Sequence, residues 1–348
     1  MKTRIVFYSA LCVVLGASAW LLFSHAGWPT KSFHPEASSR VAPSSARTIA
    51  AIAPDRMVAV TNPAVASAPD SSIPVVSRQQ EAWSPAIYAI VDDQADYSRR
   101  LAAIETLAGK KLGDADRDGL YAFLGKKSGQ DSDQMEQVVK NRLMDVLCAL
   151  DPPPPGLLDL LTQIYHAPDQ NGVLRDYAVQ HVVAFYQQLE IATTLAPQDK
   201  SDGLSAARKV LWDALSETDS SIAGTALLGL TRLSRENPGA FDSRQIGVVA
   251  EQMAGSGTSG ELTRITAIQV CAQLNVQDAL PGVLQAAQNG ETISVKISAM
   301  GALGQLGGPE QVPFLNRVLA GTEDRLKPAA QHALEQITTR QTQLAGRK

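Results

Sequence analysis

A chain of 348 residues has room for one or two folded domains, and a composition 45% apolar but only 5% aromatic supplies the alanine and leucine of packed helices rather than a large sheet. With 31 basic and 35 acidic residues the formal net charge is −4, and no long basic run follows the N-terminus. A nucleic-acid binder needs a positive stripe to neutralise phosphates, so DNA and RNA are disfavoured as partners.

Lys2 and Arg4 precede an uncharged apolar run, Ile5 to Phe23, 19 residues long. Residues 1–23 therefore read as a signal anchor or a signal peptide. Ala17-Ser18-Ala19 offers an A-x-A cleavage site. Trp20-Leu21-Leu22-Phe23 instead extends the run to the ~20 residues of a spanning helix. The anchor is the preferred expectation: an inner-membrane, single-pass protein held through residues 5–23, with its C-terminal domain in the periplasm because the positive residues stay inside. The alternative is release to the periplasm after cleavage near Ala19. Residues 24–84 follow as a linker. Proline recurs at 29, 35, 43, 54, 63, 69 and 74 among alanine, serine and threonine, a density that breaks both helical and strand periodicity. A random coil of that length spans about 45 Å.

From residue 85 to 348 a pattern repeats. Its clearest copy is Val295-Lys296-Ile297-Ser298-Ala299-Met300-Gly301-Ala302-Leu303-Gly304-Gln305-Leu306-Gly307: a basic residue, alanine three positions on, then an apolar pair. Arg264…Ala267 and Lys327…Ala330 stand 32 and 31 residues to either side, and Arg175…Ala178 and Arg100…Ala103 lie upstream. Val295, Ala299, Leu303 and Leu306 share one helical face. The alanine permits close approach of a second helix. Gly307-Gly308-Pro309 ends the element, glycine tolerating the left-handed conformation past a helix end and proline starting the next helix. A first helix precedes each copy after the Arg100 one: Leu120–Leu124, Leu157–Tyr165, Ala206–Leu215, Ile246–Met253, Gly282–Ala287 and Glu310–Leu319. Two copies are degraded. Ala223 replaces the basic residue in Ile222–Leu233, and Asp145 replaces the alanine after Arg142 in Val138–Leu150.

These residues resemble the HEAT repeat family, in particular the short HEAT-like repeats of the phycobilisome-lyase type. The resemblance is close over about 260–335 and looser over 94–259, where spacings stretch to 48 residues, from Arg175 to Ala223. It implies an all-α solenoid of antiparallel helix pairs, about six to seven repeats, with the second helices lining a concave side.

Signals for chemistry are sparse. None of the five histidines has a partner at metal-ligand spacing, so no metal or cofactor is expected. Gly255-Ser256-Gly257-Thr258-Ser259-Gly260 follows no strand and reads as a turn. His181 and His332 fall on second helices and are expected to face solvent or a turn. Cys148 and Cys271 fall several repeats apart and are expected as small buried residues. The basic ladder Arg142, Arg175, Arg264, Lys296 and Lys327 is expected to pair with acidic residues or turn carbonyls of adjacent repeats. Pro152–Pro155 reads as a rigid connector.

Opposite the core face of the Lys296 helix lie 294, 298, 301 and 305. Carried through the copies, this phase exposes Tyr177, Gln180, Thr225, Arg232, Thr266, Gln269, Gln273, Ser298, Gln305, His332 and Gln336. The strip is polar, glutamine-rich and nearly uncharged. Carboxamides both donate and accept, which suits a peptide backbone or a flat protein surface. The expected function is a non-enzymatic scaffold in the cell envelope that binds a protein partner on this face. The alternative is an accessory or lyase-like protein related to HEAT-like bilin lyases.

Overall fold

The structure, a computed structural model, describes residues 83–127 and 134–346, which all belong to one compact unit, Glu81–Lys348. The expected signal segment at 1–23 and the expected linker up to residue 82 lie outside the described residues. Trp83 and Ser84, at the end of that linker, already pack on the helical array. Trp83 lies against Gly119, and the Ser84 amide donates to Asp116 Oδ1 at 2.7 Å.

Fourteen α-helices and no strand occur among the described residues. They are α1 (Pro85–Val91), α2 (Tyr97–Glu105), α3 (Asp114–Gly125), α4 (Gln134–Cys148), α5 (Leu157–His166), α6 (Gly172–Ile191) and α7 (Pro197–Ala214), then α8 (Ile222–Glu236), α9 (Ser243–Gly255), α10 (Glu261–Gln273), α11 (Leu280–Asn289), α12 (Ile293–Leu306), α13 (Val312–Ala320) and α14 (Lys327–Ala345). The even-numbered helices each pack on the next, from α2 through α14, and form one layer. The odd-numbered helices form the other, touching more sparsely: α1 with α3, α3 with α5, α5 with α7, α9 with α11. The product is an α-solenoid of seven pairs.

Helix α12 shows how sequence sets an element. Thr292 is its N-cap, accepting from the Val295 amide at 3.3 Å. Val295, Ala299, Leu303 and Leu306 are buried, as the periodicity predicts. Met300, Ala302 and Gly304 are buried as well, because α12 is flanked by α10 and α14, so only a narrow strip stays open. The helix ends where expected but for a different reason. Gly307 is extended (φ −73°, ψ 168°), not left-handed. A methyl there would sit 2.6 Å from the Leu303 carbonyl oxygen, so glycine is required for space.

The two ends of the array are polar. Gln331, Glu335, Thr338 and Thr342 are exposed on α14, and Ser98, Arg99 and Glu105 on α2. Repeat arrays need such ends to stay soluble, since an apolar end would recruit another copy. No helix among the described residues is long and apolar enough to cross a membrane.

Candidate interaction face

Three arginines at the basic position of the repeat cap helices. The Arg100, Arg175 and Arg264 Nε atoms donate to the carbonyls of Ile90, Tyr165 and Ala254 at 2.8, 2.7 and 3.1 Å. Each acceptor stands ten residues back, in the last turn of the first helix of the same pair. A cation there satisfies an orphan carbonyl and opposes the negative end of the helix dipole. Lys140 does the same for α3, donating to the Lys126 carbonyl at 2.6 Å. The carbonyl acceptors lie in the same pair and not, as expected, in the adjacent repeat, whereas two rungs do reach a carboxylate of a neighbour. Arg142 Nε bonds Glu105 of the preceding pair at 2.7 Å, and Arg175 Nη2 contacts both Glu217 oxygens of the next at 2.5 and 2.7 Å. Lys327 pairs locally with Asp324 at 2.7 Å.

The predicted strip lies on the even-numbered layer, and several of its side chains meet a neighbouring helix. Thr266 is the exception to its exposure: it is buried against α8, because Gly224 lets the two backbones approach until a methyl at 224 would sit 3.2 Å from Thr266 Oγ1. The Thr225 hydroxyl favours the ionised form of the buried Asp176 carboxyl on α6. Arg232 pairs with Glu236 at 3.0 Å, and Glu236 accepts from Gln187 of α6 at 2.5 Å. Gln273 accepts from Arg235 of α8 at 3.0 Å. Ser298, half-buried, donates to the Ile265 carbonyl of α10 at 3.3 Å. Tyr177 and Gln180 are half-buried on α6. Gln269 is half-buried on α10.

Gln305, His332 and Gln336 come together. They line an open cleft of about 600 Å³ across α10, α12 and α14, with Glu335, Thr339 and Arg340. The Gln336 carboxamide nitrogen lies 2.9 Å from His332 Nε2. Arg340 is committed to the C-terminus of α12, donating to the Gln305 and Gly307 carbonyls at 2.8 and 2.5 Å.

Two buried polar groups in these seams had no clear sequence signal. Asp176 is 5% exposed; burial raises its carboxyl above the usual range, and Ser221 donates to Oδ2 at 3.1 Å. His181 is 4% exposed, which corrects the expectation that it faces solvent. Its neighbour Asp145, in the place of the repeat alanine, was the one mark of it in the sequence. Cys148 and Cys271 are free and buried, with burial pushing the Cys271 thiol up to about 12, so neither has the thiolate character of a reactive cysteine. Pro153 and Pro154 are buried in the connector, where the Tyr121 hydroxyl donates to the Pro155 carbonyl at 3.1 Å. No cluster of His, Cys, Asp and Glu among the described residues could hold a metal ion.

Stacked antiparallel pairs with one continuous polar face define a helical-repeat protein. Residues 257–335, from the turn before α10 into α14, match the family model for HEAT repeats. No curated protein matches it. Among solved structures, human deoxyhypusine hydroxylase in complex with glycerol is similar at 16% identity and a TM-score of 0.27, over 73% of this chain and 95% of that one.

Proposed function

We propose that the chain is a non-enzymatic scaffold that binds a protein partner along the even-numbered layer, in the cell envelope. The observation that supports this most is the chemistry of the strip from Tyr177 to Gln336. It crosses five consecutive helices of one layer, its charges are paired among themselves, and carboxamides stand along it at 180, 269, 305 and 336. A surface whose charges are internally balanced meets a neutral partner without desolvating an unpaired ion. The apolar run at 5–23 behind Lys2 and Arg4 supports an envelope location, with the linker giving reach.

Site-specific photo-crosslinking in living cells tests the face. A photoreactive residue at Gln269 or Gln305 should yield the same protein adduct, and one at Val248, 52% exposed on the opposite layer, should yield none. Equal adducts from both layers, or none from the strip, would refute the reading. Location is tested separately. A phosphatase reporter fused after Ser84 should be active, and arginine at Leu15 and Leu22 should abolish its activity, each buried charge costing roughly 2.5–3.5 kcal/mol of insertion.

A further inference from the structure

The degraded repeat at α4 places a carboxylate where the pattern has alanine, and the structure shows what it meets. Asp145 projects into the seam between α4 and α6, where its Oδ1 lies 3.8 Å from His181 Nδ1. The other ring nitrogen, Nε2, lies 2.9 Å from Asn141 Oδ1. A carbonyl oxygen only accepts, so the neutral imidazole carries its proton on Nε2 and turns the bare Nδ1 toward Asp145. Lone pair then faces carboxylate, a contact that gains nothing while His181 is neutral. One proton on Nδ1 converts it to an ion pair.

We propose that Asp145 is the standing counter-ion of a protonated His181, so that the α4–α6 seam contains a proton-operated contact: held by Asn141 alone when neutral, and by Asp145 as well when charged. The pair underlies the stretch of α6 that presents Tyr177 and Gln180, and its role is to limit how far that face loosens as the surroundings turn acid.

The surrounding charges are consistent with this. On α4, Arg142 Nη1 lies 3.5 Å from Asp145 Oδ2 and is bonded on its far side to Glu105 of α2, so Asp145 is oriented with Oδ1 left toward the histidine. Cys148, also on α4, donates its thiol proton to the His181 carbonyl at 3.5 Å. On α6 itself Tyr177 stands one turn before and Arg175 is bound to Glu217. From α5 and α7, Tyr165, His166 and Asp213 group together near Arg175. From α8, Arg232 and Glu236 pair with each other, and Glu236 with Gln187. Burial pushes the His181 imidazole down to about 4, from 6.5, and raises the Asp145 carboxyl. A carboxylate at 3.8 Å acts on the imidazole in the opposite sense.

The test is an NMR titration of the histidine rings of the full-length chain between pH 8 and the onset of acid unfolding. The His181 resonance is assigned by its loss in His181→Gln. The proposal predicts a His181 transition within the folded range that Asp145→Asn, close in shape, moves down by about one pH unit or more. Asp145→Glu should restore part of the shift. In Asp145→Asn, hydrogen exchange across α4 and α6 at pH 5 should also speed up relative to the parent. An unchanged midpoint in Asp145→Asn, or a His181 that stays neutral until the whole protein unfolds, would overturn it. This titration needs no partner, so a failed crosslinking experiment leaves it standing.

Discussion

Between Ser243 and Ala345 the even-numbered helices meet through Ala267, Ala299, Ala330 and Ala333, all at 0% exposure, and the buried polar side chains there are Thr263, Thr266 and Gln311. Between Pro85 and Glu236 small residues such as Ala178 and Ala226 occupy the same seams, but Arg100, Lys140, Asp176 and His181 are buried beside them. The contrast teaches how a repeat protein can drift. An alanine contact needs only a small residue at a fixed phase, so the pattern survives in the sequence. A charged contact needs a particular partner in another repeat, as Arg142 needs Glu105 37 positions away and Arg175 needs Glu217 42 away, and those partners lie outside the repeat pattern. The family model accordingly matches 257–335.

Substitutions can break this comparison. The largest loss should come from Leu303→Ala in the apolar half, about 2–5 kcal/mol from lost burial and the cavity left behind. Urea unfolding measures it, and the loss should be the same at low and high salt. In the other half, Arg175→Met removes both the cap on Tyr165 and the bidentate pair with Glu217, and should cost about 1.5–3 kcal/mol. A double-mutant cycle with Glu217→Gln isolates the pair, and additivity would show that the contact contributes nothing. Ala299→Leu should cost about 1–3 kcal/mol by overpacking the α12 seams. Its neighbour Ser298→Leu should lose about 1 kcal/mol with its bond to Ile265, more than a fully exposed position would. A comparable effect is set by pH. Burial holds the His181 value below its unfolded 6.5, so its contribution is fully present above that pH and is lost as pH falls toward 4. At pH 5 the loss should be about 1–2 kcal/mol, and His181→Gln should flatten this part of the stability profile.

The helical phase was legible in the sequence. Val295, Ala299, Leu303 and Leu306 all face the core, and the pair-after-pair architecture follows from the same spacing. The strip was legible as a phase but not in detail. Helices two sequence elements apart decide whether an outward residue is open. Gly224 draws α8 and α10 together and buries Thr266, while Glu236 and Gln187 engage the surface around Arg232. His181 was misplaced because a histidine at a seam looks the same in sequence as one on a surface, and only Asp145 in an alanine position marked the difference. The carbonyls that the ladder's arginines bind were expected in adjacent repeats and lie instead in the same pair, because a backbone acceptor carries no residue signature to locate it.

Native-state hydrogen exchange, mapped helix by helix and corrected for intrinsic rates, tests the central contrast most directly. On moving from pH 7 at low salt to pH 5 at high salt, protection should fall in α4, α6 and α8, whose seams depend on buried titratable groups and ion pairs, and should hold in α10, α12 and α14. A uniform loss along the array, or a greater loss in α10–α14, would contradict the account.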